Sequence, residues 1–171
     1  MENFTNEIID TKQLPKFEEV QLTALHPKYW YEIIINTTVV FLVLGIILGV
    51  VWYKSDEFAT SAIYFIIAYF VILIFSFLLK RIGFNKKGYA FRNHDVIYRS
   101  GIIATNTMVI PYNRVQHVAL HEGFISRYFG LAKVEIFTAG GSSSDIEISG
   151  IEKEEAENIK QLLMGKIQKQ L

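Results

Sequence analysis

Two apolar runs, residues 33–53 and 58–79, constrain what this chain can fold into more than any other feature. Neither contains a charged residue, and only Lys54-Ser55-Asp56-Glu57 separates them. As helices of roughly 21 residues, each would reach about 30 Å, the thickness of a bilayer's hydrocarbon core. A core helix of a soluble protein keeps one polar face, whereas these runs are apolar on every side. The link is too short for a domain. The sequence therefore predicts a tight antiparallel two-helix transmembrane hairpin. Tyr29, Trp30 and Tyr31 at the entrance of the first span, and Trp52 and Tyr53 at its exit, suit headgroup depth, where one end of the ring stays wet. Asp56 and Glu57 suit the positive end of the second helix.

Lysine and arginine set the expected orientation. Lys80, Arg81, Lys86, Lys87, Arg92 and Arg99 follow the second span against the single acid Asp95, and the hairpin tip carries only Lys54. The positive-inside rule then places both termini in the cytoplasm and the tip outside, in a multi-pass protein of the cell (inner) membrane. Lys80, Arg81, Lys86 and Lys87 are also the candidate contacts to anionic lipid headgroups, where each basic side chain adds about 1 kcal/mol. The same four charges also have a simpler use, fixing topology.

About 90 residues follow the second span, enough for one small domain with its own core. The chain divides into a polar N-terminal arm (1–28), the hairpin (29–81) and a β domain with a C-terminal helix (82–171). The 17 basic and 17 acidic residues balance, which argues against nucleic acid as a main partner. With no cysteine there is no disulfide, thiol chemistry or cysteine metal site, a composition compatible with a reducing compartment. The first 32 residues are acidic and the apolar run starts too far in for a cleaved signal peptide.

In the arm, residues 14–20 fit a short strand or an extended segment, and Pro27 suits a first helical turn. Gly45-Ile46-Ile47-Leu48-Gly49 has the GxxxG spacing that lets helix backbones approach closely. It fits packing within the hairpin, with Gly49 near the level of Ala62, or a dimerisation face. Asn36, Thr37 and Thr38 have no partner acid or base within either span, and no intramembrane ionisable residue marks a transport path.

From Gly88 onward, short alternating runs punctuated by turns predict strands at 89–92, 96–99, 102–104, 108–111, 114–122, 132–138 and 145–148. Turn signals at this spacing suggest a small antiparallel sandwich or barrel. Pro111 ends a strand and Tyr112-Asn113 turns the chain. Residues 123–130 read as a bulky connection whose aromatics plug the sandwich. Ser149 and Glu152 fit a capping box for a final helix from about Glu152. Its stripe of Ala156, Ile159, Leu163 and Ile167 predicts a helix lying on the β domain.

Site templates give little. His117 and His121 on one strand would stand about 13 Å apart, too far to share a metal. Ser142 to Ser144 have no adjacent general base, and the Gly-Gly-Ser-Ser-Ser run lacks the lysine of a phosphate loop. No catalytic residue, metal site or cofactor is predicted.

The series Gly101-Ile102-Ile103, Val109-Ile110-Pro111-Tyr112-Asn113-Arg114-Val115-Gln116-His117-Val118, Arg127-Tyr128-Phe129-Gly130-Leu131-Ala132, Thr138-Ala139-Gly140-Gly141 and Gly150-Ile151 resembles the bacterial pleckstrin-homology-like membrane proteins of the YdbS type. So do Leu14-Pro15 and Leu25-His26-Pro27 in the lead-in. The resemblance implies a hairpin followed by an α+β cytoplasmic domain, a PH-like antiparallel β-sandwich or barrel capped by the C-terminal helix. It brings no catalytic residues. It implies membrane lipids and a membrane protein partner, a larger protein with repeated PH-like domains; homo-oligomers are also open. The expected function is a non-catalytic, membrane-anchored interaction module. The alternative is a component of a membrane enzyme or transport complex.

Overall fold

The computed structural model describes residues 19–54, 56–139 and 145–168. The start of the arm, including residues 14–18, and the loop at 140–144 with its serines lie outside the described residues. Two helices, α1 (Lys28–Lys54) and α2 (Asp56–Lys86), form the antiparallel hairpin. Within them, Lys28–Lys54 and Ala62–Lys86 are long and apolar enough to span a membrane, and almost none of their side chains are buried by the protein itself. Apolar side chains facing outward all round are what a lipid-facing helix requires. The second helix runs well past the end of its apolar run at Leu79, so its last two turns project beyond the hydrocarbon.

The hairpin carries a β domain of two antiparallel sheets. One is ordered β1-β2-β3-β4 and uses β1 (Thr23–Ala24), β2 (Gly88–Phe91), β3 (Asp95–Ser100) and β4 (Asn106–Pro111). The other is ordered β5-β6-β7 and uses β5 (Val115–His121), β6 (Leu131–Thr138) and β7 (Ile146–Glu152). Consecutive strands are neighbours within each sheet, although both helices of the hairpin stand between β1 and β2 and a short connection separates β5 from β6. Within the stretch read as a polar arm, Thr23 pairs with Tyr89 and Ala24 with Gly88, and Leu25 enters the core.

Period-two alternation places Val96 and Tyr98 from the first sheet against Val134, Ile136, Ile146 and Ile148 from the second. A bulge interrupts β7. Lys133 alone stands between the pairs Ala132–Ile151 and Val134–Ile148, opposite both Ser149 and Gly150. Gly150 takes φ +74°, the left-handed conformation that a glycine at a bulge accepts without steric cost. The extra residue resets the alternation, so Ile148 and Ile151, three apart, are both buried. The final helix, α4 (Lys153–Gln168), closes the core with Ala156, Ile159 and Leu163 buried and Ile167 partly so, the stripe expected from its spacing.

Three local expectations are corrected. Residues 102–104 form a bend rather than a strand, with β4 beginning at Asn106. Ser149 and Glu152 both lie in β7, so they form no capping box; the helix begins directly off the strand at Lys153, whose N–H donates to the Gly130 carbonyl at 3.0 Å. The connection after β5 is a short helix, α3 (Phe124–Tyr128), and its aromatics do not plug the sandwich, because Phe124 and Tyr128 are exposed, away from the core. The turn at Pro111 is as expected: β4 ends there and a 3-10 turn, Tyr112–Arg114, follows. Tyr112 is buried in it, its hydroxyl donating to the Arg92 carbonyl at 2.6 Å.

Candidate interface at the hairpin base

The start of α1 and the end of α2 meet the β domain directly, and the bonding there is dense. Tyr29 lies against the backbone of Gly150, where a Cβ would stand 2.4 Å from Tyr29 Cγ and 2.6 Å from its Cβ. The His26 N–H donates to the Gly150 carbonyl at 2.9 Å. Tyr29 and Trp30 pack on Phe84 of α2, with ring centroids 6.3 and 5.9 Å away. One residue, Lys87, separates α2 from β2.

The four basic candidates divide among three tasks. Lys80 lies in the last turns of α2, and Lys87 is the single residue that joins the helix to β2. They line a cleft of about 570 Å³ with Tyr29, Asn36, Tyr98 and Ser100. The Arg81 guanidinium lies 4.9 Å from the centroid of the Trp30 ring and 5.6 Å from that of Phe84, in cation–π contact. The Lys86 ammonium donates to the Ile102 carbonyl at 2.6 Å and braces the β3–β4 loop. The structure thus brings two of the four into one cleft and gives Lys80, Arg81 and Lys86 protein partners, that of Lys80 being Thr37.

Thr37 is the site residue that the sequence missed. It is 1% exposed, its hydroxyl donates to the Ile33 carbonyl at 2.6 Å and it accepts from the Lys80 ammonium at 2.7 Å. The partner absent from the spans stands one residue beyond the second apolar run. A cue was present: a threonine near one end of a span and a lysine just past the end of the other fall at the same level in an antiparallel pair.

On the cleft wall, burial pushes the Tyr98 hydroxyl up to about 12, with Tyr29 and Glu147 adding to the effect, so Tyr98 is a neutral phenol at physiological pH. The cleft is lined by two lysines, an asparagine, a serine and two tyrosines, with the Lys80 ammonium donating to Thr37. That set suits a phosphate-bearing anion.

The small-residue motif also divides. A Cβ on Gly45 would stand 3.1 Å from the Tyr69 hydroxyl oxygen of α2, and that hydroxyl donates to the Phe41 carbonyl at 2.7 Å, so Gly45 seats α2 within the hairpin. A Cβ on Gly49 would meet nothing within 4 Å. Gly49 and Ala62 both line a shallow apolar cleft between the helices. His117 stacks on Phe137 with ring centroids 4.0 Å apart, a packing role.

A spanning hairpin fused to a two-sheet domain closed by a C-terminal helix defines a membrane-anchored PH-like protein. The family comparison agrees: the bacterial PH domain profile matches residues 14–167, and the chain belongs to that family. It is similar to two Bacillus subtilis transmembrane proteins. To YdbS it is 30% identical over 84 residues, covering 49% of this chain and 51% of YdbS. To YdbT it is 28% identical over 146 residues, covering 83% of this chain and 29% of YdbT. The chain therefore aligns with about half the length of YdbS and less than a third of YdbT. No solved structure matches it.

Proposed function

We propose that this protein is a non-catalytic, membrane-anchored PH-like module whose β domain stands at the cytoplasmic face of the cell membrane and engages anionic lipid headgroups. The observation that carries the reading is the cleft shared by Lys80 and Lys87 where the hairpin enters the domain. Lys80 follows the apolar run directly and Lys87 follows the end of α2, so both belong to the stretch that leaves the hydrocarbon for the headgroup layer. Family membership supports a non-catalytic role. The cytoplasmic placement rests on the six basic residues from Lys80 to Arg99.

The test uses the full chain in phosphatidylcholine vesicles containing a small fraction of spin-labelled phosphatidylglycerol or spin-labelled phosphatidylcholine. The protein should immobilise the anionic label in preference to the neutral one, and Lys87→Gln should reduce that preference. Equal immobilisation of the two labels by the unmodified protein would remove the headgroup reading. Co-purification from native membranes in mild detergent tests the other expectation, a membrane protein partner.

A further inference from the structure

Three apolar or aromatic side chains of the β domain are almost wholly exposed: Ile103 at 96%, Phe124 at 93% and Tyr128 at 85%. Scattered exposed apolar residues are ordinary on a protein surface. These three share a level.

Phe124 and Tyr128 belong to α3, which is bound to the first turns of α1. The Ser126 hydroxyl donates to Glu32 Oε1 at 2.7 Å, and Tyr31 stacks on Phe129 with centroids 6.3 Å apart. Glu32 immediately precedes the first apolar run, so α3 is fastened about 1.5 Å of helix rise from the edge of the hydrocarbon. Ile103 belongs to the β3–β4 loop, which is bound to the last turns of α2. The Ile102 side chain would stand 3.2 Å from a Cβ on Gly83, and its carbonyl takes the Lys86 hydrogen bond. Gly83 is four residues past Leu79, about 6 Å along the helix. The headgroup layer extends about 5–8 Å beyond the hydrocarbon on each side. The fastenings at Glu32 and Gly83 therefore lie at or within it, one beside each helix of the stem.

From this shared depth we infer that the underside of the β domain is a docking surface for the bilayer that the hairpin crosses, with Phe124 and Tyr128 beside α1 and Ile103 beside α2 inserted at the boundary between headgroups and acyl chains. Aromatic rings are favoured at that depth, and a residue placed there without protein cover meets lipid. Arg127, on the same short helix, keeps a largely exposed side chain, with Glu122 3.7 Å away, and stands where lipid phosphates lie. The occupant is lipid rather than a second copy of the chain, because the patch is fixed at bilayer depth by the spans themselves. The inference rests on the membrane-anchored reading above and is independent of the Lys80–Lys87 cleft.

The absence of cysteine makes the test direct. Single substitutions Ile103→Cys, Phe124→Cys and Tyr128→Cys, all at exposed positions, carry a nitroxide label on the full chain in phosphatidylcholine vesicles. Asn93→Cys, in the turn between β2 and β3 that points away from the stem, is the control. Collision with lipid-soluble oxygen is compared with collision with a water-soluble nickel chelate. The labels at 103, 124 and 128 should favour oxygen several-fold over the label at 93, with or without added phosphatidylglycerol. Labels matching the one at 93, or shielded from both reagents as a covering protein would shield them, would overturn the inference. Lipid-exposed labels together with equal immobilisation of anionic and neutral lipid would defeat the headgroup reading and leave this one standing. Aqueous labels with retained lipid preference would do the reverse.

Discussion

The ring of Tyr29, in the first turn of α1, occupies the place that a side chain on Gly150 would need. One glycine in a β-bulge thus does two things: it permits a left-handed backbone turn, and it leaves room for the hairpin to seat on the sheet.

Gly150→Ala should accordingly cost about 3 kcal/mol, summing backbone strain and overpacking. Combined with Tyr29→Ala, which removes the ring but leaves the Tyr29 Cβ 2.6 Å from that position, the same substitution should cost less, with the backbone share and one close contact remaining. Denaturant unfolding of the four proteins in detergent checks this; strictly additive losses would show that the two residues do not interact.

The two glycines of the GxxxG run should part company. Gly45→Leu should push α2 off α1 through Tyr69, whereas Gly49→Leu should be tolerated inside the hairpin. The check is hairpin stability of each variant in mixed detergent, alongside oligomer size. Equal destabilisation of the hairpin by both would mean that the helices cross differently.

The C-terminal helix should be required for the β domain to fold. Burying Ala156, Ile159 and Leu163 contributes about 5 kcal/mol before ordering costs, comparable to the whole stability of a small domain. Truncation after Glu152, where β7 ends, should leave a hairpin that inserts and a domain that protease digests. Resistance of the truncated domain to limited proteolysis would contradict the core assignment.

Alkaline pH should weaken the domain. Burial raises Tyr98 to about 12, and burial with the Glu155 carboxylate, which accepts the Tyr89 hydroxyl at 2.9 Å, raises Tyr89 further. The native state holds both protons at pH values where the unfolded chain has lost them. Their contribution is complete below pH about 10 and falls as pH rises through about 12. Tyrosinate absorbance should therefore rise in step with unfolding, and Tyr89→Phe should flatten the decline. A stability independent of pH across that window would disprove the coupling.

Topology can be read from single cysteines at Lys54, in the tip, and Glu157, on the exposed face of α4. An impermeant thiol reagent added to intact cells should label the first and spare the second. Labelling at 157 alone would invert the proposed orientation.

What the sequence could and could not reveal follows from the range of the interactions. The spans, most strands and the stripe on α4 depend on periodicity along the chain, which is local and visible. The pairing of Thr23–Ala24 with β2 involves two residues and a partner more than sixty positions away, so no pattern announces it. The bulge at Gly150 made Ser149 and Glu152 look like a helix cap, because a phase change in a strand and a helix start read alike in composition. For Phe124 and Tyr128, aromatic character predicted burial in protein, whereas the structure leaves both side chains exposed. The cleft itself joins Lys80 and Lys87, close in the chain, to Ser100 and Tyr98, which only the fold brings near.

The single residue between α2 and β2 leaves no slack at the join. A hydrophobic helix longer than its bilayer accommodates by tilting. Here one residue joins helix to strand and Tyr29 seats on Gly150, so a lean of the hairpin carries the domain with it. Membrane thickness is thereby converted into an angle, lowering one flank of the domain toward the lipid and lifting the other.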